Sequence, residues 1–298
     1  GLVNLRSVVK EANALAGTQI VYFYIPGNGP FNIQPASAIP DVLETVNFIA
    51  TFQSGYNGTP LINLDGSLAG SNVNGLTFIG NSCSMEGILI SNFGGSGLVL
   101  GSDNNSVFQN SFSNNTQSGI SVGFNDLVNG WTASNNNYIE DNVVTANGEG
   151  GVAVQYGTRN SILSNSIYSN TGAGIDLWSS AGGSFEPGIT LNDTLDSDAG
   201  NNNLQNYPVL DDFYSGNGGT SIAGKLISSP NKDFVIQFFS YIFGHLLVIA
   251  GEHHRLDVHL PEPGNRLGRF FPDDIRQSNR ALKLIVNQDI YHSFSFSI

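Results

Sequence analysis

Asn160-Ser-Ile-Leu-Ser-Asn165-Ser-Ile-Tyr-Ser-Asn170-Thr-Gly-Ala-Gly174-Ile-Asp-Leu177 decides the fold, because its pattern returns along the chain. Its last four residues have counterparts in Gly75-Leu-Thr-Phe78, Gly97-Leu-Val-Leu100, Gly119-Ile-Ser-Val122 and Gly151-Val-Ala-Val154. The leading glycines step by 22, 22, 32 and 23 residues, and the long step holds an insertion from Phe124 to Ala133. Asparagines recur in three matching columns: Asn105, Asn137 and Asn160; Asn110, Asn142 and Asn165; Asn115, Asn147 and Asn170. A fixed period in the low twenties with one strand pattern per unit marks a solenoid. The leucine consensus of leucine-rich repeats is absent, so the repeat predicts an all-β parallel β-helix.

In such a stack each coil lies about 4.8 Å above the last, so equivalent residues superpose. Ile162, Ile167, Ile175 and Leu177 then point inward above Val107, Phe112, Ile120 and Val122. Stacked asparagine amides hydrogen-bond up their columns at the turns. Asparagine also tolerates left-handed backbone angles, which suits it to the tight corners themselves. No coil buries its apolar face alone, so stability resides in the stack.

Composition narrows the function. A net charge of -13 disfavours nucleic acid and anionic membranes as partners, since like charges repel. The single cysteine, Cys83, excludes an internal disulfide and reads as a small buried filler. The chain begins at Gly1 without a methionine and shows no basic segment leading an apolar one, as expected if a secretory signal has been removed or the chain is a fragment.

Upstream of the clean repeat, Leu5, Val8, Val9, Ala12 and Leu15 are spaced for a short amphipathic helix ended by Gly17. Such a helix covers the first open coil of a solenoid. Gln19 to Ile25 reads as a buried strand, Pro26 to Pro30 as a turn, and Phe31–Ile33, Val46–Ile49 and Leu61–Leu64 as irregular entry strands.

Leu5-Arg6 followed by Glu11-Ala12-Asn13 resembles the start of the bacterial CSLREA-type right-handed parallel β-helix proteins. Ile25-Pro-Gly27, Pro60-Leu-Ile-Asn-Leu-Asp-Gly66, Gly174-Ile-Asp-Leu177 and Asn202-Asn-Leu-Gln-Asn-Tyr-Pro-Val-Leu210 are similar to further hallmarks of that group. Val3-Asn4 stands where the group has its naming cysteine. The resemblance extends from residue 4 to about 239. It implies a secreted or cell-surface protein, a right-handed (pectin lyase-like) helix and a following β-sandwich module, of which Gly224 to Phe239 resembles the first two strands.

The functional expectation is a non-catalytic structural or adhesive module that binds polysaccharide or cell-surface glycan. The insertion is its candidate contact loop: Trp131 for stacking on a sugar ring, with Asn125 and Asp126 beside it. The rival is a polysaccharide lyase, hydrolase or epimerase on the same scaffold. Lyase chemistry needs a base, yet the regular coils hold one basic residue, Arg159. Hydrolysis needs carboxylates paired in space, and neither Asp176, whose column holds Ser121 two coils earlier, nor the adjacent Glu140-Asp141 forms such a pair. No residue is therefore assigned as catalytic.

Asn192-Asp193-Thr-Leu-Asp196-Ser-Asp198 sets hard oxygen donors at short spacing, which suits calcium; Asn192, Asp193, Asp196 and Asp198 are the candidate ligands. The sequence divides into a cap with entry coils (1–74), regular coils (75–190), an acidic connector (191–215), a sandwich-like start (216–240) and a divergent tail (241–298). The tail carries all five histidines and departs abruptly in composition, as a frameshift or wrong gene junction would make it do. His245, His253, His254 and His259 with Glu252 lack the regular spacing of a zinc site. Phe234 to Gly251 is apolar but interrupted, at the short limit for a membrane span.

Overall fold

The computed structural model describes residues 4–126, 128–179, 189–216, 219–229, 234–240, 246–252, 254–257, 282–286 and 292–297. They fall into two units, residues 1–188 with 200–202, and residues 189–199 with 203–298.

The first unit is a right-handed parallel β-helix of three sheets. The first sheet stacks Gln19–Tyr22, Val46–Ile49, Ser84–Glu86, Ser106–Phe108, Tyr138–Glu140 and Ser161–Leu163. The second stacks Phe31–Ile33, Ile62–Asp65, Ile88–Ser91, Ser111–Ser113, Val143–Thr145 and Ser166–Tyr168. The third stacks Leu76–Phe78, Leu98–Leu100, Ile120–Val122, Val152–Val154 and Ile175–Leu177. Every pairing within these sheets is parallel and in register, as Ile120 opposite Leu98 and Val152 illustrates. Phe48, Met85, Val107 and Ile139 rise through the core in one column, Leu64, Ile90, Phe112 and Val144 in another, all essentially inaccessible.

The asparagine columns are hydrogen-bonded ladders. Asn105 donates from Nδ2 to Asn137 Oδ1 at 2.9 Å, Asn137 to Asn160 at 2.8 Å, and Asn160 to Asn202 at 3.3 Å. The Oδ1 atoms also accept the backbone N–H of the matching residue one coil earlier, as Asn165 does from Asn142 at 2.9 Å. Buried backbone donors at the corners are thereby satisfied, which the interior demands. The left-handed angles lie one residue earlier than expected. Asn104, Asn136 and Arg159 precede the first column, Gln109, Asp141 and Ser164 the second, and Asn114, Ala146 and Ser169 the third, with φ between 53° and 61°. The physical reason is a division of labour: the preceding residue reverses the chain, which leaves the asparagine side chain turned inward to its ladder.

The strand-leading glycines are required by close approach. A Cβ on Gly97 would lie 2.7 Å from the Gly119 carbonyl oxygen, and one on Gly151 2.4 Å from that of Gly174.

The cap is the helix Leu5–Ala14, opened by a capping box between Asn4 and Ser7 and burying Leu5, Val9 and Ala12. Leu15 is the C-cap and stays outside, 49% exposed, so the helix ends one residue before the last apolar position of the sequence pattern. Arg6 donates to Ser37 and Ala38, and Asn13 bridges Asp41 O and Leu43 N, which fastens the helix to residues 37–43. The buried strand expected over Gln19 to Ile25 stops at Tyr22, because the backbone of Ile25 bonds the Gln53 side chain instead of a strand, and it is not buried, since Ile20 and Tyr22 face outward, 53% and 44% exposed.

In the second unit Val209–Gly216, Gly219–Leu226 and His292–Ser297 form one antiparallel sheet. His254–Asp257, Leu246–Glu252, Phe234–Ser240 and Leu282–Val286 form another. The apolar run from Phe234 is therefore two antiparallel strands, and no helix among the described residues is long and apolar enough to cross a membrane. Of the residues weighed for zinc, Glu252 and His254 lie on these strands, while His245, His253 and His259 lie outside the described residues.

Candidate functional site

The insertion between the third and fourth regular coils folds back on itself. Phe124–Asp126 pairs antiparallel with Gly130–Thr132, setting Asn125 directly across from Trp131. Leu127 at the bend lies outside the described residues. Asp126 organises the turn by accepting the Val128 N–H at 2.9 Å and the Asn129 side-chain amide. These bonds, the Val128 N–H above all, hold its carboxyl below the usual aspartate range. Gly101 makes room for the loop, since a Cβ there would meet Phe124 at 2.7 Å.

Trp131 is half-buried, its ring edge-on to Trp178 at 6.0 Å between centroids and 64° between planes. Trp178 follows the last strand of the third sheet and is 8% exposed. The ring of the loop thus packs on a residue of the solenoid's last coil. Asn125 is exposed and presents an amide beside the Trp131 ring. Sequence reasoning found the loop and missed Trp178, a partner more than forty residues away.

The residues weighed for catalysis do not converge. Asp176 ends the outward column Thr77, Val99, Ser121, Ala153 of the third sheet and is 5% exposed. Glu140 projects from the first sheet in register with Phe108 and Leu163. Asp141 and Arg159 occupy left-handed turn positions. The four thus stand on one strand of the third sheet, one of the first, and two separate corners.

Three of the four acidic-loop residues do come together. Carboxylate oxygens of Asp193, Asp196 and Asp198 lie within 4.8 Å of one another, each side chain half-buried. Asn192 bonds a backbone: its amide donates to Tyr207 O at 2.7 Å and accepts the Tyr207 N–H at 2.8 Å. Asn206 gathers the loop by accepting the Asp193 N–H and donating to Asp193 O from its side chain, and by donating its own N–H to Asp196 Oδ1. Asp193 Oδ2 accepts from Ser197 N, Ser197 Oγ and Asp198 N. Among the described residues, Asp193 Oδ1 and Asp198 Oδ1 are shielded from solvent and meet no hydrogen-bond donor. Desolvation raises the Asp193 carboxyl, but its hydrogen bonds, those from Ser197 foremost, carry it below the ordinary value. Burial raises that of Asp198, and the charges of Asp193 and Asp196 raise it further. Two shielded anionic oxygens without donors are costly unless a cation faces them. These three aspartates are the residues able to hold one.

Residues 52–194 match the family model for the right handed beta helix region. No curated protein matches the chain.

Proposed function

We propose that the chain is a non-catalytic β-helix module of the CSLREA type, from a secreted or surface-exposed protein, in which the solenoid is a rigid support for glycan contact. The observation that carries this reading is the Trp131 ring, fixed by a two-stranded hairpin and a second tryptophan, with the Asn125 amide across from it. An aromatic face for sugar C–H groups beside an amide for hydroxyls is the chemistry saccharides select, and its rigidity lowers the ordering cost of binding. A panel of neutral and uronate polysaccharides, with and without calcium, tests it for binding and turnover together. Binding without turnover, weakened about tenfold or more by Trp131→Ala, supports the module; turnover abolished in Asp176→Ala or Glu140→Ala makes it an enzyme.

We further propose that Asp193, Asp196 and Asp198 take a calcium ion with a structural role. Oxygen-rich sites of this kind suit a hard cation, and the two shielded, donor-free oxygens favour it. Calcium should raise the unfolding temperature of the wild type and leave that of Asp198→Asn unchanged; equal response of both proteins defeats this reading.

A further inference from the structure

The first sheet carries a second aromatic group, well apart in sequence from the Trp131 hairpin. Tyr22, Tyr24 and Phe52 are 44%, 70% and 60% exposed, yet they are packed on one another. Tyr22 lies 5.9 Å from Tyr24 and 5.8 Å from Phe52 between ring centroids, with tilts of 35° and 36°. They come from two coils, the first at the end of Gln19–Tyr22 and just beyond it, the second just past Val46–Ile49.

This corner is built rigidly. Gln53, 2% exposed, accepts the Ile25 N–H and donates to Ile25 O, both at 2.8 Å. The two segments that display Tyr24 and Phe52 are thus tied together one residue beyond each ring. Exposed aromatics normally lose free energy to water, so a locked cluster of three points to a partner.

The charge around it selects the partner. Tyr22 stands in register with Ile49, then Glu86, then Phe108, in one outward column with rungs about 4.8 Å apart. Glu86 receives the Thr51 hydroxyl on Oε1 at 2.6 Å, and a carboxylate offers further acceptor positions. No strand of this sheet contains lysine or arginine. Acceptors without cations complement hydroxyl donors and repel carboxylate, sulfate or phosphate groups, a preference the net charge of -13 reinforces.

We propose that Tyr22, Tyr24 and Phe52, with Glu86 beside them, form a binding subsite for neutral polysaccharide. The proposal rests on the glycan-binding reading above but assigns the contact to a different surface. Affinity electrophoresis of the full chain through gels containing hydroxyethyl cellulose, xyloglucan, galactomannan or polygalacturonate tests it. The proteins compared are wild type, Tyr24→Ala/Phe52→Ala and Trp131→Ala. Because Tyr24 and Phe52 are exposed, the double variant should melt with the wild type by circular dichroism. Retardation by a neutral polymer, weakened tenfold or more in the double variant, is the expected result. Retardation lost only in Trp131→Ala overturns this subsite and leaves the hairpin reading standing; loss in both variants bears out two contacts. Retardation by polygalacturonate alone overturns the choice of partner, and no retardation by any polymer overturns both readings. Sedimentation with phosphatidylcholine vesicles that depends on Tyr24 and Phe52 overturns it in favour of a lipid surface.

Discussion

Cys83 is buried and stands where the first asparagine ladder begins. Its backbone N–H bonds Asn105 Oδ1 at 2.9 Å, so it occupies the first rung of that asparagine ladder, with a thiol where an amide would sit. A single cysteine offers no repetition, so nothing in the sequence aligned it with the column. Ile88 and Phe93 begin the other two ladders in the same way, donating to Asn110 and Asn115. The Cys83 thiol is 1% exposed and donates to Gly80 O at 3.1 Å, and burial pushes its pKa from 9.0 up to about 11. A thiol with a raised folded pKa contributes stability that is complete below its unfolded value and lost as pH rises through the folded one. The denaturation midpoint of the wild type should therefore fall between about pH 9 and 11 by more than that of Cys83→Ala. Parallel curves for the two proteins would contradict it.

Ala146 poses the opposite problem, exposed with φ at 56°. A side chain in the left-handed region costs about 1–2 kcal/mol relative to a relaxed backbone, and glycine escapes that penalty. Its greater freedom when unfolded offsets part of the gain, by about 0.4–1 kcal/mol. Ala146→Gly should stabilise by up to about 1 kcal/mol in urea denaturation. A destabilised variant would mean that the turn is not strained.

At the scale of the element, the ladders do what no strand does alone. Asn142 Oδ1 accepts the Asn110 N–H, and its Nδ2 donates to Val107 O, Glu140 O and Asn165 Oδ1. Aspartate keeps the shape but replaces the donor with an acceptor facing three oxygens, in a site 1% exposed. A buried group left unsatisfied costs about 1–3 kcal/mol, and a charged one more. Asn142→Asp should lose about 3 kcal/mol or more at neutral pH, and markedly more than Asn142→Ala; a loss under 1 kcal/mol would show the ladder to be ornamental. The ladders and inward columns were legible because each repeats several times at one spacing. The Tyr22, Tyr24 and Phe52 cluster was not, since it lies in entry coils whose lengths differ and whose register the period does not supply. The acidic loop was half legible. Asp193, Asp196 and Asp198 are near in sequence and meet, whereas Asn192 is taken by Tyr207, a partner that only the folded chain brings to it.

At the scale of the molecule, stability in a stack of coils is a sum over units and their interfaces. Every rung of the three parallel sheets is supplied by residues 19–177, and the uppermost bond of the first ladder comes from Asn202. Asn201 adds bonds to Gln155 O and Trp178 O, which closes the same end. Nothing in that set of bonds draws on residues beyond 202. A chain ending at Pro208 should therefore keep the β-rich circular dichroism of the solenoid and unfold cooperatively. A second chain, ending at Ser179 and so without Asn201 and Asn202, should melt lower than the first. The difference between the two measures what residues 180–208, the closing asparagines among them, contribute, because both chains lack the strands from Val209 onward. If the chain ending at Pro208 fails to fold while the full chain does, the coils are not self-sufficient, and the antiparallel strands would have to be part of one cooperative unit with them.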